Sequence, residues 1–105
     1  MPKISSRSSA LGRLLTHHKA FTTGGGLSAV TDAPHAVGRL PVEWADRYRA
    51  DLEVPGIGYV ALSYLTPIAW VRRDGLTVIP DEHYSATTTR HQSIIRRWMC
   101  EGEWS

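Results

Sequence analysis

The chain is predicted to fold as a small α+β protein: a three-stranded antiparallel sheet packed with two helices, preceded by an extended N-terminal arm. Three observations lead there. Residues 41–52, "PVEWADRYRADL", put Trp44, Tyr48 and Leu52 at i, i+4 and i+8, one stripe of a three-turn helix. Residues 57–80 are dense in β-branched and aromatic side chains and contain Asp74-Gly75, a strong hairpin signal because both residues tolerate positive φ. Residues 89–100 return to helical spacing, with Ile94, Ile95 and Trp98 on one arc and His91 a turn earlier.

Residues 1–40 read as a basic, glycine-rich arm and linker. Within it, "SSRSSALGRLLTHHKAF" suits a short helix over Ser9 to Ala20, with Leu11, Leu14, Leu15 and His18 sharing a face and Gly12 weakening it. "TTGGGLSAVTDAPHAVG" follows as linker, since three consecutive glycines lose too much backbone entropy in a regular element. Gly24, Gly25 and Gly26 do not make a phosphate-binding loop, which needs a strand before it, a helix after it and a lysine at fixed spacing.

Residues 41–105 read as the α+β domain. Its first helix, over 42–52, has Pro41 at the first helical position and Glu43 in the first turn, and Pro55 and Gly56 stop it. "IGYVALSYL" and "PIAWVRR" are strands with "TP" as the bend between them. A two-residue turn at Asp74-Gly75 then sets Arg73 opposite Leu76, Val71 opposite Val78 and Trp70 opposite Ile79. Pro80 ends the third strand. Thr89 and Gln92 have the spacing of a capping box, which starts the last helix, and Gly102 ends it.

A chain of 105 residues has room for one domain, and 42% hydrophobic with 21% charged residues excludes a disordered chain. The single cysteine, Cys100, excludes an internal disulfide and a cysteine-rich zinc site, and it suits a reducing compartment. No apolar run reaches the roughly 18 residues of a membrane span, and no signal peptide is visible. The expectation is a cytoplasmic protein with no membrane association. The net charge of +2 is small but uneven. Residues 1–31 hold Lys3, Arg7, Arg13 and Lys19 and no acid, while the remainder holds eight bases and ten acids. A basic leader on a nearly neutral body is the arrangement of arms that sense phosphate by charge, and also that of a solvated tail.

Catalytic and metal-binding sets are not evident. Adjacent His17 and His18 diverge by about 100° on a helix and cannot face one metal. His83 and His91 lack ligand spacing, and no nucleophile sits in a recognisable elbow. Cys100 lies about 13 Å along the helix axis from His91, too far for a dyad. His91 reads as a core-edge histidine bonded to a backbone carbonyl. Five arginines remain: Arg72 and Arg73 at the hairpin tip, and Arg90, Arg96 and Arg97 on the last helix. They are candidates for one patch that binds an anion or an acidic partner, or are plain soluble surface. Trp104, beyond the last helix, is either a candidate exposed anchor for a partner or folds back to cover the helix terminus.

The segment "SYLTPIAWV…DGLTVIPDEHYSATTTRHQSIIRR" resembles a small domain of unknown function found in bacteriophages and prophages, especially those of actinobacteria. The shared frame is S-Y-x-T-x-I-A, a hairpin, then Y-S-x-T-T-x-[RK]-H. Ser63, Tyr64, Thr66, Ile68 and Ala69 match its first part, and Tyr84, Ser85, Thr87, Thr88, Arg90 and His91 its second. The resemblance covers about residues 60–97 and brings no activity with it. It does group Ser63, Tyr64, Thr66, Tyr84, Ser85, Thr87, Thr88 and His91 as a polar cluster between sheet and helix start. That cluster is either a hydrogen-bonded clasp holding loop 81–88 or an anion site at the helix N-terminus beside Arg90.

The function expected from the sequence is a non-enzymatic accessory protein of phage type, without cofactor or metal, that binds a host or phage protein. A small nucleic-acid-binding protein using the arm and the arginines, or a minor virion component, are the alternatives. The setting is the host cytoplasm, or the virion for a structural component.

Overall fold

The structure, a computed structural model, describes residues 3–4, 9–24, 26–80 and 86–99, with side chains over 11–24, 26–80 and 89–97. Its elements in chain order are β1 (Lys3–Ile4), α1 (Ser9–Thr16), β2 (Phe21–Thr23), β3 (Leu27–Val30), α2 (Val42–Glu53), β4 (Ile57–Ser63), β5 (Thr66–Arg72), β6 (Thr77–Val78) and α3 (Ala86–Met99). The strands form one sheet in the order of the sequence, β1 to β6. Strands β2 to β6 run antiparallel, and β1 joins β2 in parallel at one edge. The expected three-stranded sheet with two helices is therefore corrected to an antiparallel sheet of five strands, extended by β1, with three helices.

The correction comes from residues 9–30, read from sequence as an arm. Gly24 and Gly26 lie between two short strands, "FTT" and "LSAV". Gly26 has a φ of +92°, and a Cβ built there would run into the Tyr64 ring, so this crossing favours glycine. The Thr23 hydroxyl donates to the Leu27 carbonyl across the turn. Strand β3 then pairs with β4, Leu27 opposite Ser63 and Val30 opposite Val60.

Helix α1 ends at Thr16, four residues before the expected limit. His18 takes a φ of +54°, the His18 amide donates to Leu15, and the Lys19 amide donates to Leu14. This is a Schellman ending with histidine where glycine is usual. Eight residues are too few for a helix to stand alone in water. Burial of Leu11 and Leu15 supplies the missing stability, at about 1.5–3 kcal/mol for each side chain.

The central hairpin turns at Tyr64-Leu65, and Ser63 pairs with Thr66. Thr66 and Pro67, expected as the bend, lie in β5, where Pro67 faces Leu62 and is fully buried. The second hairpin also differs from expectation. Trp70 pairs with Val78 and Val71 with Thr77, one residue from the two-residue-turn register. The loop is three residues, Arg73 to Gly75, with the Gly75 amide bonded to Arg72 and Gly75 at φ +96°. That is a type I turn followed by a glycine bulge, the next commonest hairpin after the two-residue one. Desolvation opposes charge on Asp74, but bonds from the Leu76 amide and the Arg72 guanidinium hold its carboxyl below its ordinary range.

Alternation along β4 divides the core in two. Tyr59 and Ala61 join Leu11, Leu15, Phe21, Leu27 and Ile95 on one face, under α1 and α3. Val60 and Leu62 join Leu40, Ala45, Tyr48, Trp70 and Val78 on the other, under α2. The register shift between Ile57 and Tyr59 is a bulge at Gly58, which returns Ile57 to the α2 face. Trp44 and Leu52, the flanks of the predicted stripe, pack partly buried against this second cluster.

Two buried phenols tie loops to the core. Tyr48 donates its hydroxyl to the Pro34 carbonyl at 2.6 Å, and Tyr59 donates to the Lys19 carbonyl at 2.7 Å. Burial raises both pKa values, that of Tyr48 to about 12. An unfolded tyrosine ionises near about 10. The folded state therefore holds the proton longer, so the stabilisation is complete below about pH 10 and disappears as pH rises through about 12. The melting temperature should fall steeply over that window, and Tyr48→Phe should flatten the fall while lowering stability near neutrality by about 0.5–1.5 kcal/mol. Melts across alkaline pH check both. An unchanged slope in the variant would remove Tyr48 from the explanation.

Candidate functional site

The residues proposed as a polar cluster meet, in part, at the turn between β4 and β5. Ser63 ends β4 with its side chain buried, and its hydroxyl lies 2.7 Å from Nδ1 of His91 on α3. His91 is therefore bonded through Nδ1 to a serine side chain. The Tyr64 ring lies 6.0 Å from the imidazole and covers Gly26, and the Tyr64 amide donates to the Gly26 carbonyl. Thr66 points its hydroxyl at another loop and accepts the Arg39 amide at 2.9 Å. So Ser63, Tyr64 and His91 clasp β4, the glycine turn and α3, while Thr66 anchors the segment leading into α2. Tyr84 and Ser85 lie outside the described residues, and Thr87 and Thr88 are described in backbone only.

Thr89 and Gln92 do not mark the helix start. Helix α3 begins at Ala86, so Thr89 sits in its first turn and Gln92 is buried beyond it. The Thr89 carbonyl accepts the Ser93 hydroxyl at 3.1 Å. Three threonines are weak helix formers, and packing of the His91, Gln92 and Ile95 face on the sheet overrides that weakness.

The turn itself is unusual. Tyr64 and Leu65 both have positive φ, +49° and +71°, where the two-residue turn would ordinarily carry Asn-Gly. Left-handed backbone costs an L-residue roughly 1–2 kcal/mol. The two side chains are nevertheless large, apolar and 59% and 76% exposed.

The five arginines do not form one patch. Arg72 turns toward α2, where Nη1 lies 3.5 Å from Asp51, and its other terminal nitrogen pairs with Asp74. Arg73 is exposed beside Gly56. Arg90, Arg96 and Arg97 are exposed on α3, on the opposite face of the sheet. The sheet separates the two groups. Trp104, the candidate anchor, and Cys100 lie outside the described residues, and so does the side chain of Trp98.

Asp51 was not singled out by sequence. It is 4% exposed and accepts Trp70 Nε1 at 2.9 Å and Arg47 Nε at 3.2 Å, in addition to its approach to Arg72. The signal was present: Asp51 falls three residues after Tyr48, on the apolar stripe of α2, where a carboxylate needs a buried donor. Near it, an open groove of about 410 Å³ is lined by Asp32, His35, Glu53, Gly56 and Arg73 among others. Its acids and bases are mixed, which selects no single ligand charge. Among the described residues no group of three His, Cys, Asp or Glu is arranged to hold a metal, and no helix is long and apolar enough to cross a membrane.

No curated protein and no solved structure matches the chain. A family profile does, over residues 11–102, a span that begins with the first buried leucine of α1 and takes in all that follows through α3. The chain belongs to that family, a family of unknown function (DUF8033).

Proposed function

We propose that this chain is a non-catalytic binding protein that engages a protein partner through the Tyr64-Leu65 turn. The observation carrying this reading is the coincidence of strain and exposure at two adjacent apolar residues. A turn serving only the fold has Asn-Gly available at lower cost, and backbone strain kept at a surface is a mark of function. Aromatic side chains are enriched at protein interfaces and dominate their energetics. The clasp beneath fixes the tip, since Tyr64 leans on Gly26 and His91. Binding through a fixed tip avoids much of the ordering cost a mobile loop would incur. The resemblance of the frame around Ser63 and His91 to phage domains supports a host or phage protein as the partner, and the host cytoplasm or the virion as the setting.

Leu65→Gly tests the reading because it separates fold from function. Glycine accepts the left-handed backbone, so relief of strain outweighs added unfolded-state entropy and stability should rise by up to about 1 kcal/mol. The apolar anchor is lost. With a photo-crosslinking residue at position 64 in producing cells, a discrete protein adduct should appear. Excess wild-type chain should suppress it, and excess Leu65→Gly chain should not. Equal competition by the variant would reject the turn as the contact.

A further inference from the structure

The loop after β3, the end of α2 and the β5–β6 hairpin tip together line the open groove of about 410 Å³. Its charged residues are Asp32, Glu53 and Arg73, and His35 also lines it. Arg73 is anchored by main chain and side chain alike. Its amide donates to the Gly56 carbonyl at 2.8 Å, and its stem lies over Gly56, where an added Cβ would stand 3.0 Å from Cδ and Nε. The opposite wall is anchored too. Tyr48 bonds the Pro34 carbonyl, between Asp32 and His35, and Ala33 packs against the cluster under α2. Asp32, Glu53 and Arg73 thus share one groove with opposite charges, all exposed. None of the three makes an ion pair or side-chain hydrogen bond among the described residues, whereas Arg47, Arg49 and Arg72 all do. Glu53 is also the last residue of α2, whose final turn holds no base. The negative end of the helix therefore adds to the negative charge of that acid.

We propose that this groove binds a free basic amino acid, its carboxylate on Arg73 and its two cationic groups on Asp32 and Glu53. Two carboxylates against one guanidinium leave one negative charge in excess. The complementary ligand carries one anionic and two cationic groups, which is the charge pattern of lysine or arginine as free molecules. A guanidinium offers a carboxylate two parallel donors, and an ammonium donates readily to carboxylates. A metal ion alone does not fit, since no group of three His, Cys, Asp or Glu is arranged to hold one among the described residues. A diamine leaves Arg73 unmatched, and an amino acid with a neutral side chain leaves one acid unmatched. The volume falls within the range of about 300–1,000 Å³ usual for small-molecule sites. Exposed ion pairs are screened by solvent, so the expected affinity is about millimolar. The groove lies at the start of β4 and the Tyr64-Leu65 turn at its far end, about 20 Å away for a seven-residue strand. This binding does not depend on that turn's role.

Amide NMR spectra of the full chain, titrated with L-lysine at constant ionic strength, supply the test. The amides of Asp32, Gly56 and Arg73 should move along one saturating curve, and L-arginine should give the same set of shifts. Cadaverine, which lacks the carboxylate, should bind about fivefold more weakly. Nα-acetyl-L-lysine, which stands for the last residue of a peptide, should also bind about fivefold more weakly, because only one acid is then matched. Arg73→Gln should weaken L-lysine about fivefold and leave cadaverine no weaker. Asp32→Asn with Glu53→Gln should weaken both. These side chains are exposed, and the spectrum of each variant reports its fold directly. A response without curvature up to about 20 mM L-lysine, well beyond a millimolar dissociation constant, overturns the proposal. So does L-glutamate binding as tightly as L-lysine, Nα-acetyl-L-lysine doing so, or the double variant binding L-lysine like the wild type.

Discussion

Asp51→Ala is expected to lower the unfolding free energy by about 3–5 kcal/mol, as removal of one member of a buried charged network does. The carboxylate is 4% exposed and receives Trp70 Nε1, Arg47 Nε and, at 3.5 Å, Arg72 Nη1. Truncation leaves the indole N–H of a fully buried tryptophan without its acceptor. It also isolates Arg72, whose Nε already has no hydrogen-bond partner, from its buried counter-charge. Asp51→Asn retains an oxygen for Trp70 and loses only the charge, so it should cost distinctly less. Urea denaturation of the three proteins checks the order. Asp51→Ala unfolding like the wild type would mean that solvent reaches these groups and the network contributes nothing.

Phe21→Ala should cost a comparable amount, about 3–5 kcal/mol. Phe21 is fully buried, in the cluster that holds Leu15, Tyr59 and Ile95. The result also decides between two architectures. In an extended arm the same substitution would stay within about 0.5 kcal/mol, as surface changes do. Chemical denaturation of the single variant is sufficient, and a near-zero change would return residues 9–30 to the status of an arm.

The parts of this fold legible in the sequence were those in which many residues repeat one signal. Helix α2 was placed to within a residue because its aromatic stripe spans three turns between prolines. Strands β4 and β5 were found because each spans seven residues with β-branched and aromatic side chains spread along it. Strands β2 and β3 were lost because three and four residues are too few for a period, and the glycines between them carry the same signature in a linker as in a turn. The hairpin at Asp74-Gly75 was recognised, but not its register. Two- and three-residue loops share that dipeptide, and the choice depends on which of Val78 and Ile79 packs beside Trp70.

The candidate site divides the same way. Residue types around Ser63, Tyr64 and His91 marked a cluster, and the sequence alone determined that those groups exist and that α1 and α3 are basic without acids. Their meeting was decided in three dimensions. Ser63 reaches His91 across 28 positions because α3 packs on the face of β4 where Ser63 points. The arginines separate because the alternation of β5 sends Arg72 to the α2 face while α3 lies on the other. The strain at Tyr64-Leu65 has no sequence signature, since nothing in either residue announces positive φ; the pairing of Ser63 with Thr66 imposes it. A sequence states which groups are available and how far apart they lie along the chain. Packing two faces of one sheet determines which of them share a side, because burying apolar surface on both faces leaves few registers that work.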